Sequence, residues 1–120
     1  MQLEALLYGR IRQQLLQRHE PQVVSVVISA MLANKRHNFL PLGLHASAYI
    51  DEPLCIGFGQ TISSPSIVAE MTVLLIERLS DYGDAVVLEI GTGSGWQAAI
   101  LSSLVKQVYK IGRASCRERV

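Results

Sequence analysis

Charge is scarce in this chain. Only 18% of its 120 residues are charged, against roughly 25% in an average soluble protein. Lysine and arginine nearly balance aspartate and glutamate, leaving a net charge of +1. That excludes a strongly basic nucleic-acid binder and an acidic tail protein. Cysteine is scarcer still. Cys55 and Cys116 cannot build a disulfide scaffold or, by themselves, a zinc site, so a reduced, cytoplasmic setting is the expectation. No long apolar run is present. The longest uncharged stretches, 21–34, 53–69 and 90–105, fall short of a membrane span, and the last two are broken by Gly or Pro. The start carries Glu4 and no basic lead, unlike a signal peptide. His19, His37 and His45 have no ligand spacing, so surface or satisfied polar positions are expected and no metal is. Repeats and low-complexity tracts are missing too. What is abundant is apolar residues, 49% of the chain, enough for a core.

The apolar residues fall into helical and strand patterns. Leu3, Leu6, Leu7, Ile11, Leu15 and Leu16 recur at three- and four-residue steps and predict a first helix. Pro21 suits the first turn of a second, over 22–33. Residues 35–50 show little pattern, and 51–65 read as a loop punctuated by Pro53, Gly57, Gly59 and Pro65. Residues 66–79 predict a third helix with Ile67, Met71, Leu74, Leu75 and Leu79 as its apolar stripe and Ser64 or Ser66 as its cap. Residues 85–90 form a nearly continuous apolar run, the pattern of a strand buried on both faces. It leads into Gly91-Thr92-Gly93-Ser94-Gly95. Helical spacing resumes over 96–104, and Val108-Tyr109 begin a second strand. Strand, glycine loop, helix, strand is the first unit of a doubly wound α/β fold.

The loop carries the strongest chemistry. Three alternating glycines permit a tight turn after a strand and a close approach of ligand to main chain. The spacing is G-x-G-x-G after the strand acid Glu89, and position 96 is Trp. It therefore lacks the G-x-G-x-x-G of a dinucleotide site. This loop resembles the first motif of S-adenosyl-L-methionine-dependent methyltransferases.

The resemblance narrows upstream. Ala48-Tyr49, Asp51, Pro53-Leu54, Ile56-Gly57 and Gly59-Gln60-Thr61-Ile62-Ser63, then Pro65 and Ile67-Val68-Ala69-Glu70-Met71-Thr72, are similar to the protein-L-isoaspartate O-methyltransferase family. So are the residues from Val87 through Gly95 and Gln97-Ala98-Ala99. Trp96 stands where Tyr is usual in that family, Cys55 where Pro is usual, and Lys35 where Pro is frequent. Cys55 is expected to be a small, half-buried hydrophobe.

The resemblance implies a Rossmann-like methyltransferase sheet behind N-terminal helices. It also implies methyl transfer from S-adenosyl-L-methionine to the free carboxylate of L-isoaspartyl residues in damaged proteins. Ser63 would hold the acceptor carboxylate, with Gln60, Thr61 and Ile62 on the substrate side. Glu89, Gly91, Thr92, Gly93, Ser94 and Gly95 would bind the cofactor. Isoaspartyl proteins or peptides would be the partners, with no nucleic acid or membrane, and the full-length enzyme would be a monomer. Alternatives are a methyltransferase with another acceptor, or a helical binding module that exposes the leucine face of residues 1–18.

The same resemblance places a ribose-binding Glu at position 112, where this chain has Gly. Residues 111–120, Ile-Gly-Arg-Ala-Ser-Cys-Arg-Glu-Arg-Val, are not strand-like and resemble the translation of a common short-read sequencing adapter. The expected organisation is therefore a helical region with the substrate-side loop over 1–62, an incomplete Rossmann-like start over 63–110, and a non-native tail over 111–120. Without that tail, three arginines and one glutamate go and the net charge moves from +1 to −1. Such a fragment would be a poor enzyme.

Overall fold

A computed structural model describes residues 2–112. Helix α1, Gln2–Leu16, buries Glu4, Leu7, Tyr8, Ile11 and Leu15. This narrows the expected stripe, because Leu3, Leu6 and Leu16 are exposed. The tertiary partners select the face. Lys35 Nζ donates to both Glu4 oxygens, at 3.2 and 3.0 Å, and Tyr8 meets Tyr49 edge-on with ring centroids 6.4 Å apart.

Helix α2, Pro21–Ala33, has its proline in the first turn, as expected. It buries Val24, Val27, Ile28, Ala30 and Met31 and touches α1 and two later helices, which makes it the centre of the core. Short 3₁₀ turns at Arg36–Phe39 and Leu42–Ser47 occupy the stretch that showed little pattern.

The expected loop over 51–65 contains a hairpin. Strands β1, Leu54–Gly57, and β2, Gln60–Ile62, pair antiparallel, with Leu54 opposite Ile62, Cys55 opposite Thr61, and an irregularity before Gly57. The turn places Gly57, Phe58 and Gly59 at positive φ, so the glycines that suggested a loop instead make a tight turn between very short strands. Ile56 and Ile62 are buried. Cys55 is exposed, contrary to the half-buried position expected of it.

Helix α3, Pro65–Arg78, turns a different face inward from the one expected. Val68, Ala69, Thr72, Val73 and Ile76 are buried, while Ile67, Met71 and Leu74 are exposed. The helix is apolar over most of its circumference, so spacing alone could not choose between faces; packing on α2 chose. Neither serine side chain caps it. Asp51 Oδ1 accepts from Ser66 N at 2.9 Å and does that task from the hairpin side.

After a turn at Tyr82–Asp84, β3 (Val86–Ile90), helix α4 (Trp96–Ser102) and β4 (Gln107–Ile111) follow. The two strands pair in parallel from Val86 opposite Gln107 to Ile90 opposite Ile111. The expected α/β order is present. The expected burial of β3 on both faces is not. Val87 and Glu89 are half-buried, whereas Val86, Leu88 and Ile90 are exposed, Ile90 to 78%. Packing covers one face of the strand only among the described residues. Ile111 lies in β4, so the segment expected to be non-strand begins as strand; residues 113–120 lie outside the described residues. No helix among the described residues is long and apolar enough to cross a membrane.

Candidate functional site

Sequence forces the loop after β3 into its shape. Gly91, Gly93 and Gly95 have φ of 78°, 55° and 88°, a region that residues with a Cβ rarely occupy. The loop closes on β4, since Gly91 N and Thr92 N both donate to Ile111 O, at 2.7 and 3.1 Å. Gly95 N donates to Thr92 O at 3.0 Å, and Ser94 Oγ accepts from Trp96 N at 3.2 Å.

The hairpin comes to meet this loop. A Cβ on Gly93 would lie 4.0 Å from Thr61 O, while one on Gly91 would meet nothing. Between hairpin and loop is a cavity of about 490 Å³ that borders Thr61, Ser63, Glu89, Gly91, Thr92 and Gln97. Residues 60–63 and 89–95, far apart in sequence, are thus brought to one place. Thr61 and Ser63 are exposed, Gln60 is half-buried, and Ile62 is buried and joins the core. Gly91 is exposed, Gly93 and Ser94 are half-buried, and Thr92 and Gly95 are buried.

Two polar atoms at the cavity stand out. Glu89 Oε1 and Thr92 Oγ1 are buried near each other, short of a well-aligned hydrogen bond, and have no other partner among the described residues. Burial lifts the Glu89 carboxyl above the usual carboxylate range; Thr92 beside it and Lys110 pull the other way. Buried polar atoms without partners are uncommon and call for an explanation; at a cavity wall, a ligand is one.

Residues not foreseen as part of the site support it. Gln97 Nε2 donates to Thr72 Oγ1 at 2.8 Å, and Thr72 Oγ1 donates to Val68 O at 2.6 Å, fastening α4 to α3. Arg36 is fully buried beneath the hairpin, and its Nη2 donates to Ser63 O at 3.1 Å. No local spacing signals either link, because each joins positions at least 25 residues apart. Position 112 is the exception to the fit. A Cβ there would stand 2.6 Å from Thr92 Cγ2, so Gly112 and this Thr92 rotamer go together.

A parallel strand pair linked through a glycine loop and a helix, with a hairpin laid over the loop, defines the start of a Rossmann-like α/β domain. The model of the protein-L-isoaspartate(D-aspartate) O-methyltransferase family matches residues 10–115, and the chain belongs to that family. Protein-L-isoaspartate O-methyltransferase 2 of Nitrosococcus oceani is 55% identical over 85 residues, covering 71% of this chain and 37% of the relative. Protein-L-isoaspartate O-methyltransferase 1 of Nitrosospira multiformis is 46% identical over 115 residues, covering 91% and 47%. The chain therefore spans less than half the length of these curated relatives. A crystal structure of a Plasmodium falciparum protein-L-isoaspartate O-methyltransferase in complex with S-adenosyl-L-homocysteine shares the fold, with a TM-score of 0.62 at 21% identity, over 93% of this chain and 52% of that one.

Proposed function

We propose that this chain carries the cofactor loop and acceptor loop of an enzyme that methylates the free carboxylate of L-isoaspartyl residues in proteins, working in the cytoplasm. The observation that carries the reading is the meeting of 61–63 with 89–94 across one cavity.

The residues present suit S-adenosyl-L-methionine. Gly91 and Gly93 leave the main chain open, and Glu89 and Thr92 offer buried polar atoms that lack partners among the described residues. Bound there, that cofactor supplies an electrophilic methyl group. An isoaspartyl carboxylate has a pKa near ~4 and is ionised at neutral pH, so the protein needs no strong base. Its task is orientation. Ser63 and Thr61 donate hydroxyl hydrogen bonds to the acceptor carboxylate or its neighbouring peptide, and Gln60 serves as donor or acceptor. A helical binding module accounts for the exposed Leu3, Leu6 and Leu16 but leaves the facing loops without a role.

As 120 residues alone, the chain is proposed to bind cofactor weakly, because Gly112 offers no ribose acid. The test is a chimera in which this segment replaces the matching part of the Nitrosospira multiformis relative. It should methylate an isoaspartyl peptide and spare the aspartyl twin, and Ser63→Ala should lower turnover. Equal methylation of both peptides overturns the acceptor; unchanged turnover of Ser63→Ala at saturating cofactor removes Ser63. In the short chain, Gly112→Glu with Thr92→Ser, which clears the methyl group in the way, should tighten S-adenosyl-L-homocysteine binding in calorimetry.

A further inference from the structure

Arg36 opens the Arg36–Phe39 turn and is 0% exposed. Its Nη1 donates to Ala48 O at 2.8 Å and, less closely, to Ile50 O at 3.4 Å. Its Nη2 donates to Glu52 O at 3.0 Å and to Ser63 O at 3.1 Å. All four acceptors are main-chain carbonyls. Three precede β1 and one follows β2, so a single planar group grips the hairpin at both ends of its stem.

The guanidinium also meets the first residue of α4, directly after the cofactor loop. Arg36 Cζ stands 5.5 Å from the centre of the Trp96 ring, and Trp96 is the residue that follows Gly95. Trp96 Nε1 donates to Asn34 O at 2.7 Å, so the corner at 34–36 holds the indole by its edge as well as its face. Arg36 makes no ion pair among the described residues. A buried cation without a carboxylate is costly, and an apolar side chain of similar size fills such a space more cheaply. An apolar side chain cannot grip carbonyls, and lysine, a point charge on a flexible stem, cannot reproduce the fork.

We infer that Arg36 is a positioning residue that sets the separation of the acceptor loop from the cofactor loop, acting through the Ser63 carbonyl and the Trp96 ring. The inference rests on the roles proposed above for those loops. Arg36 itself lies beneath both and contributes no atom to the reaction.

The experiment is amide exchange on the 120-residue chain with Arg36→Lys and Arg36→Met, read alongside tryptophan emission, for which Trp96 is the only source. Both variants should speed exchange over 60–64 by about tenfold, the factor that ~1.4 kcal/mol represents, and should shift the emission. Exchange over 24–31 should stay at the parent level, which a general packing role would not allow. Unchanged exchange over 60–64 in either folded variant overturns the inference. Should both variants unfold, nitrogen NMR of the parent decides. Separate Arg36 Nη signals from restricted rotation support the role, and a single averaged signal overturns it. Calorimetry of Gly112→Glu with Thr92→Ser keeps the two ideas apart. Absence of S-adenosyl-L-homocysteine binding there counts against the cofactor reading, while loosened 60–64 amides in the Arg36 variants still uphold the control of loop position.

Discussion

In the helical half of the molecule several charged groups find partners, as Lys106 does with Asp84 beside the β3–β4 unit. Lys35 answers Glu4, Arg18 and His19 answer Glu70, His19 also reaches Glu77, and Arg36 answers four carbonyls. In the unit from β3 to β4, Glu89 Oε1 and Thr92 Oγ1 are buried and unanswered among the described residues. The helical half has two unanswered atoms of its own, Tyr8 Oη and Arg36 Nε, but Tyr8 sits within the packed core and Glu89 and Thr92 border a cavity. The apolar residues differ in the same sense. Val24, Val27 and Met31 are fully covered, while Leu88 and Ile90 are exposed. One region covers its apolar residues, and the other leaves two polar atoms at a cavity wall, where the proposed cofactor would meet them.

Trp96 joins the two regions, being nearly fully buried and hydrogen-bonded to Asn34 O. Trp96→Ala should cost about 3–5 kcal/mol in urea unfolding. A loss well below that, with two separate transitions, would break the comparison by showing that the halves fold independently.

Glu89→Gln probes the trade between stability and binding. Because burial raises the folded-state pKa of this carboxyl, the parent holds its full stability below the unfolded value of 4.5 and loses part of it as pH rises through the raised pKa. The variant should match the parent at low pH, exceed it at neutral pH by a modest margin in melting temperature, and bind S-adenosyl-L-homocysteine more weakly. A variant less stable at neutral pH would show that Glu89 is a structural carboxylate.

The smallest effect belongs to His19. Its side chain is 7% exposed, with Nε2 2.7 Å from Glu70 and Nδ1 2.9 Å from Glu77, and Arg18 shares Glu70. Burial opposes the charged ring, but hydrogen bonds to the two carboxylates outweigh it and raise its pKa above 6.5. The clamp therefore contributes fully below pH 6.5 and fades as pH rises through the folded value. His19→Gln should remove a slight downward slope of melting temperature above neutral pH. An identical slope in the variant would assign it elsewhere.

Much of the candidate site's backbone geometry was legible because its logic is local. Glu89 and the alternating glycines lie within seven consecutive positions, and positive φ favours glycine strongly, although Phe58 adopts it in the hairpin turn. The same holds for the order of β3, loop, α4 and β4, and for the start of α2 at Pro21. Where several apolar residues competed, local logic failed. α3 has apolar residues on most sides, and the inward choice of Val68, Thr72 and Ile76 over Ile67 and Met71 was made by α2. β1 and β2 span four and three residues, too few for a period to show.

The chemistry proposed for the chain was thus written in consecutive residues: a glycine loop after a strand acid, and a polar segment ending at Ser63. Their meeting was not, since nothing near Thr61 in sequence requires it to face Gly93. That depends on Arg36 holding both ends of the hairpin stem and on Trp96 packing over it. Backbone conformation is dictated by the residue and its immediate neighbours, whereas a hydrogen bond between positions 36 and 63 exists only once the chain has folded back on itself.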